Sequence, residues 1–178
     1  HLAETFINDG HQVVGCDSLI GGELDNVPPE AEFYQYDCCY RNSMLKITKD
    51  CDLVYHAAAT AYEGLSVFSP HLITQNIVTG SVSLFSAAIE NKVKRIIYCS
   101  SMARYGTNKI PFTENLIPNP QDPYGIAKLA AENILRNLCA ISIELNYVRF
   151  TRVSTEFDCD RSELSLSWYA RYKDTQAQ

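Results

Sequence analysis

The chain has little positive charge. Its 15 Lys and Arg stand against 21 Asp and Glu, for a net charge of −6. Polyanions are held by clustered cations, so a nucleic-acid surface is excluded as the main function. The densest basic cluster, Lys92, Lys94 and Arg95, is short and reads as a loop before a strand. Histidine is scarce. None of His1, His11, His56 and His71 stands in an H-x-x-x-H or Cys/His ligand spacing, so no metal site is expected. There is no Cys-x-x-C among the seven cysteines (Cys16, Cys38, Cys39, Cys51, Cys99, Cys139 and Cys159). An odd number, with Cys16 and Cys99 inside apolar runs, reads as free buried thiols of a reducing compartment, here the cytoplasm. No apolar stretch is read as approaching a membrane span, no secretory signal is read at the start, and no membrane partner is expected. The first residue is His rather than Met, which suggests a fragment.

What is present is ordinary for a globular domain. A chain of 178 residues, 46% hydrophobic, can bury one real core. Residues 1–8 read as the end of a helix stopped by Gly10. "HQVVGCD" reads as a buried strand ending in Asp17, and "AEFYQYD" as a second strand ending in Asp37. Residues 42–49 suit a short helix, and "CDLVYHAAA" is a strand running into three alanines. Ser69-Pro70 reads as the N-cap and first position of a long helix reaching about Asn91. "KRIIYCSS" is the next strand. A proline-rich loop over 106–123 follows, then a helix opened by Pro123 and a strand in "ISIELNYVRF". The strands are continuous apolar runs alternating with helices. The expected fold is therefore α/β, an open doubly wound sheet of parallel strands. Ligands in such sheets lie at the carboxyl ends of the strands, which directs attention to Asp17, Asp37, the Ala57–Ala59 turn and the Ser100–Ser101 pair.

The spacing Tyr-x-x-x-Lys occurs three times: "YGTNK" at 105–109, "YGIAK" at 124–128 and "YARYK" at 169–173. The first is embedded in turn formers, and the third lies in a polar tail with no strand expected beside it. Only the second enters a helix, where i and i+4 share a face, and only it follows a strand ending in serines. A tyrosine titrates near pH 10, so to act as a base near pH 7 it needs a drop of about three pH units, roughly 4 kcal/mol. A fixed ammonium and a cationic cofactor ring can supply this. A serine hydroxyl can hold the reacting oxygen of a substrate.

The stretches "HQVVGCDSL", "YQYDC", "LVYHAAA", "QNIVTGSVSLFSAA", "VKRIIYCSSMARYG", "PFTENLIPNPQDPYGIAKLAAE" and "IELNYVRF" together resemble the extended short-chain dehydrogenase/reductase family. Within it they resemble the NAD-dependent epimerase/dehydratase group, and in particular nucleotide-sugar epimerases similar to UDP-glucose 4-epimerase. The resemblance covers residues 1–150 and implies a Rossmann-like fold and NAD as cofactor. It implies that Asp17 holds the adenosine ribose and disfavours NADP. Asp37 and Cys38 would contact the adenine. Ala57, Ala58 and Ala59 would form the small-residue turn against the cofactor, and Asn76 would be the family asparagine of the long helix. Ser101, Tyr124 and Lys128 would be the catalytic trio, with Tyr124 and Lys128 also touching the cofactor. The implied reaction is inversion at C4 of a UDP-hexose through a transient 4-keto sugar. Met102 and Ala103 after Ser101 lack the acid/base pair of a sugar dehydratase. The helices at 69–91 and 124–140 would pair in a homodimer. By residue type alone, Asp17 also suits a turn acid, Asn76 a helix surface and the alanines close packing.

The chain departs from the family pattern at two places. No strand with a G-x-x-G-x-x-G turn precedes "HLAETF", so the sheet is expected to lack its first strand. Without that turn's phosphate-binding amides, NAD binding by this chain alone is expected to be weak. After Phe150 the sequence leaves the family pattern, so the chain is divided into an incomplete NAD-binding domain over 1–150 and a divergent tail over 151–178, with most of the substrate domain missing. The alternative functions are a non-catalytic dinucleotide-binding or interaction module, or another nucleotide-sugar oxidoreductase or dehydratase. A steroid- or flavonoid-type reductase would prefer NADP, and Asp17 speaks against it.

Overall fold

Short apolar strands alternate with helices along the chain, and a computed structural model shows how they assemble. It describes residues 1–141 in full and the backbone of 146–150 and 167–171. The strands are β1 (Gln12–Asp17), β2 (Glu32–Gln35), β3 (Leu53–His56), β4 (Arg95–Cys99), β5 (Asn146–Phe150) and β6 (Ser167–Arg171). The helices are α1 (Leu2–Asn8), α2 (Arg41–Ile47), α3 (Pro70–Thr74), α4 (Gly80–Glu90) and α5 (Pro123–Ile141). The six strands form one sheet in the order β2-β1-β6-β3-β4-β5. β1 with β2, β3 with β4, and β4 with β5 are parallel, as the doubly wound pattern predicts.

Alternate residues of the strands face opposite layers, and both layers are filled. Val14, Cys16, Val54, Ile96 and Tyr98 pack with Leu84, Phe85, Ala131 and Leu135 of α4 and α5. Val13 packs on the other face with Ala3 of α1, joined by Phe6 and Tyr55. Burial on both faces is why these strands read as unbroken apolar runs.

No parallel strand stands between β1 and β3. β6 lies there instead, antiparallel to both, with Val14 opposite Tyr169 and Tyr55 opposite Trp168. The expectation that Tyr169 lies in a tail away from any strand is thereby corrected. "SWYAR" reads as polar tail because five residues with a serine and an arginine at the ends carry little periodicity. Its strand character comes from having two ready partners with open hydrogen-bonding edges.

Three smaller differences concern element ends. The second strand stops at Gln35, two residues before Asp37. Ser69 precedes the helix, but its side chain makes no capping bond; Pro70 alone marks the start. The long helix is not uniform: a π-helical turn, Gln75–Thr79, joins α3 to α4. The 21-residue span Pro70–Glu90 is long and apolar enough to cross a membrane by length and composition, contrary to the expectation that no stretch is. It lies half buried in this fold, with Leu84, Phe85, Ala87 and Ala88 fully in the core. None of the described cysteines (Cys16, Cys38, Cys39, Cys51, Cys99 and Cys139) is in a disulfide; Cys159 lies outside the described residues.

Candidate active site

β1 delivers Asp17 to the carboxyl edge of the sheet, where it is 4% exposed. Its Oδ1 accepts a hydrogen bond from Leu19 N at 2.5 Å, closing a turn in which Leu19 takes a left-handed φ of 62°. Asp37, just beyond β2, caps its own turn by accepting from Cys39 N at 2.8 Å. Between these turns and the start of the helix lies a small cleft of about 50 Å³. It collects Asp17, Asp37, Cys38, Ala58, Ala59 and Asn76, six of the residues expected to touch a cofactor. Ala57 does not line it. The π-helical turn carries Asn76, and one extra residue in a helical turn is a common way to re-aim a side chain at a site. Asn76 Nδ2 donates to Thr60 Oγ1 at 2.8 Å; Thr60 also lines the cleft, and no motif in the sequence marks it. Cys38 packs against Cys16, and the hydrogen bond between the two thiols, with burial, holds the Cys38 thiol well above its ordinary range.

The lining suits the adenosine half of a dinucleotide: a carboxylate at a strand end that can pair with ribose hydroxyls, small alanines that let a flat ring approach, and a second acid, Asp37. No Lys or Arg lines the cleft among the described residues.

β4 delivers the serines. Ser101 follows it and caps a 3₁₀ turn, Met102–Tyr105, by accepting from Ala103 N at 3.1 Å. α5 begins with Asp122 as cap, its Oδ1 accepting from Gly125 N at 2.8 Å, and Pro123 at the first position. Tyr124 is therefore fixed in the first turn of α5, 8% exposed, with the Ser101 side chain near enough to favour ionisation of its phenol. Lys128 lies one turn further on, 2% exposed. Its Nζ donates to Cys99 O at 2.8 Å and sits 6.0 Å from the Tyr124 ring centroid. Ala103, Tyr124 and Ala127 pack in one cluster with Ile73 and Ile77, and Ala59 of the cleft touches it. Thus the trio and the cleft are adjacent.

Electrostatics depart from expectation here. Burial pushes the Lys128 amine down to about 8, partly offset by Cys99. The Tyr124 phenol is raised, not lowered: burial is the main cause, Ser101 opposes it, and the carboxylates of Glu63 and Asp122 add to it. Lys128 is not among the causes that lower Tyr124: its buried amine titrates at about 8 and has lost its charge before the raised phenol ionises.

The other two Tyr-x-x-x-Lys copies separate. Tyr105 is fully buried at the end of the 3₁₀ turn, bonded to Arg104 Nη1 at 3.1 Å, while Lys109 lies exposed in the loop. Tyr169 lies in β6, and Lys173 is outside the described residues.

Three buried groups escape a reading of the sequence. His56, 1% exposed, shares a hydrogen bond with Ser81 Oγ at 2.8 Å, and burial drives its imidazole down to about 3. Glu132, 1% exposed, forms an ion pair with Arg104, itself 3% exposed, at 3.2 Å, with the Nε–H not aligned for a hydrogen bond. A signal for Glu132 does exist: it follows Lys128 by four and Tyr124 by eight, on the same helical face.

A doubly wound sheet with a strand-end acid, a small-residue cleft and an adjoining Ser–Tyr–Lys set defines a dinucleotide-dependent enzyme class. The chain belongs to the NAD dependent epimerase/dehydratase family, whose model matches residues 1–163. It is 36% identical over 138 residues to a UDP-glucose 4-epimerase of Lactobacillus helveticus, covering 76% of this chain and 42% of that protein. The fold matches a UDP-glucose 4-epimerase of Thermotoga maritima solved with UDP-glucose, at TM-score 0.79 and 32% identity, over 84% of this chain and 50% of the other. It also matches that of Brucella ovis in complex with NAD, at TM-score 0.76 and 31% identity, over 84% and 46%. The chain spans about half the length of these relatives, or less. NAD is the cofactor of the family.

Proposed function

We propose that this chain is the central part of a NAD-dependent nucleotide-sugar 4-epimerase acting on a UDP-hexose. The observation that carries the reading is the gathering of Ser101, at the end of β4, with buried Tyr124 and Lys128 on one face of α5, adjoining the Asp17 cleft. Asp17 would hold the adenosine ribose, Asp37 and Cys38 the adenine, and Ala57, Ala58, Ala59 and Asn76 the neighbouring backbone of NAD. Bound NAD supplies reversible hydride acceptance. Ser101 Oγ orients the 4-oxygen of the sugar, and the Tyr124 phenolate takes the proton from that oxygen and later returns it. Tyr124 must first give up a proton that burial holds on it, and a cationic nicotinamide ring works in that direction. Lys128, tied to Cys99 O, fixes α5 against β4. Met102 and Ala103, which follow Ser101, bring no acid or base, which speaks against a dehydratase.

Residues 1–150 would form the NAD-binding unit and 151–178 a divergent tail. We expect NAD binding by this chain alone to be weak, since the cleft presents Asp17 and Asp37 to a diphosphate and no cation among the described lining residues. A cytoplasmic location fits the described cysteines, none of which is in a disulfide. Pairing of the 69–91 and 124–140 helices as a homodimer fits the exposed Leu72 and Ile126. The second reading is a non-catalytic dinucleotide-binding module, which the raised Tyr124 phenol favours.

The test joins residues 1–150 to the flanking parts of a matching UDP-glucose 4-epimerase, adds excess NAD and UDP-galactose, and follows the sugar's anomeric proton by NMR. Conversion that falls by about 10²–10⁴-fold in Tyr124→Phe supports the epimerase. NAD-induced shifts at Asp17 with no conversion in either protein would assign a binding module. Neither shifts nor conversion would overturn both readings.

A further inference from the structure

The buried carboxylate of Glu132 has no place in the reaction above, yet it reaches both flanks of Ser101. Its Oε2 accepts from Ser100 Oγ at 3.0 Å and lies 3.2 Å from Arg104 Nε. Ser100 is the residue before Ser101, and Arg104 stands three after it, within the 3₁₀ turn that Ser101 caps. Arg104 is held in turn by Tyr105, with Nη1 donating to the phenol at 3.1 Å and the guanidinium 4.9 Å from the ring centroid. Glu132 belongs to α5, two turns beyond Tyr124 and one beyond Lys128. A single carboxylate therefore ties the strand end and the turn, on either side of the serine, to the helix that carries the tyrosine.

The geometry points to Glu132, acting through Ser100 and Arg104, as the positioning residue that sets Ser101 against Tyr124. It touches no reacting atom. Its other oxygen meets Arg136 Nη2 at 3.3 Å, a partner that is half exposed and outside the serine turn. That contact is the internal control. The alternative is that Glu132 and Arg104 are only a buried ion pair that helps hold α5 in place.

These alternatives predict opposite signs in one measurement. Incorporate 3,5-difluorotyrosine at position 124, whose fluorines bring the phenol's titration toward neutral pH, and follow it by ¹⁹F NMR in the full chain. Losing a negative charge nearby, with positions unchanged, eases ionisation and lowers the midpoint. Moving the Ser101 hydroxyl away from the phenol hinders ionisation and raises it. We expect Ser101→Ala to raise the midpoint by about 0.5–1 pH unit. Glu132→Gln should raise it by a similar amount, and the double variant should go no higher than either alone, as two changes acting through one contact do. Arg136→Ala should leave it in place. A midpoint that is unchanged or lowered in Glu132→Gln, or one that adds in full to Ser101→Ala, overturns the inference. If Glu132→Gln does not fold, Ser100→Ala decides: it removes one of the two ties, keeps the ion pair intact and should still raise the midpoint, and no rise overturns the idea. The inference rests on Ser101 and Tyr124 being the reacting pair, but the titration uses neither NAD nor sugar. Its failure would leave the epimerase reading standing, and failure of turnover would leave this one standing.

Discussion

Lys128 Nζ lies 2.8 Å from the carbonyl oxygen of Cys99, at the end of the strand that delivers Ser101. The lysine is thus a cross-brace between β4 and α5 before it is anything else. It is also an ammonium taken out of water with a neutral partner, and the two facts conflict. The amine keeps its tie but loses much of its hold on the proton, titrating at about 8 instead of 10.5.

That conflict has a pH signature. Between pH 8 and 10.5 the folded chain carries fewer protons at Lys128 than the unfolded chain does. Stability contributed by this group therefore rises as pH rises through that window, and below pH 8 it sits at a constant penalty. The full difference corresponds to about 3 kcal/mol. Buried thiols and phenols titrate in the same range with the opposite sign, so the quantity to measure is the difference from Lys128→Met. Urea unfolding at pH 7.5 and pH 10 should show the wild type gaining on the variant by about 1–3 kcal/mol. A constant gap would mean that the amine is not buried as described.

His56 gives the mirror case on the acid side. It is buried among Phe85 and Tyr98, with ring centroids 5.7 Å away in each case, and its nitrogen meets Ser81. Its folded titration point of about 3 lies below the ordinary 6.5, so the unfolded chain takes up a proton here first as pH falls. Stability is present above pH 6.5 and is lost as pH drops toward 3, by about 4–5 kcal/mol at the limit. His56→Gln keeps a hydrogen-bonding group for Ser81 and removes the titration. Its unfolding free energy should fall less steeply between pH 6.5 and pH 4 than that of the wild type, and parallel acid limbs would refute the assignment.

Gly125 rests on the turn that bears Ser101. A Cβ at this position would stand 2.7 Å from Ala103 O, a backbone atom that cannot swing aside. Gly125→Ala must therefore push α5 away from the 3₁₀ turn, and we expect a loss of about 1–3 kcal/mol in chemical denaturation. Gly64 is the control: nothing lies within 4 Å of where a Cβ would stand, and Gly64→Ala should stay within about 0.5 kcal/mol.

Neither the Lys128 brace nor the His56 burial is visible in the sequence, whereas the order of strands and helices is. That order is legible because both sheet faces are buried, which turns β1, β3 and β4 into apolar runs. The cleft is legible because strand ends and small-residue turns are local features, and neighbouring motifs agree on Asp17, Asp37, Cys38, Ala58, Ala59 and Asn76. Ala57 reads into the cleft with its neighbours, but adjacent residues leave a strand end in different directions. β6 is not legible, because a short strand in a polar stretch is stabilised by the two partners it lies between, which local propensity cannot reveal. The direction of the Tyr124 shift is hidden as well. Spacing brings a lysine near a tyrosine, but only the folded arrangement buries both groups, so that the amine loses its charge at about 8, and sets Glu63 and Asp122 near the phenol.

Asp17 carries the last prediction, which bears on cofactor choice. Its carboxylate closes the Leu19 turn with one oxygen at the mouth of the cleft, 4% exposed at the end of β1. A dinucleotide ribose placed there can pair its hydroxyls with that carboxylate, whereas a 2′-phosphate would meet a fixed negative charge with no Lys or Arg among the described lining residues to offset it. Asp17→Asn keeps an oxygen for the turn and removes the charge. NAD should then bind more weakly, and the preference for NAD over NADP should shrink by about tenfold, or roughly 1.4 kcal/mol. Parallel titrations of both dinucleotides, read from backbone amide shifts at Leu19 and Cys39, measure the ratio in the wild type and the variant. An unchanged ratio would remove Asp17 from cofactor selection and leave it as the acid that closes a turn.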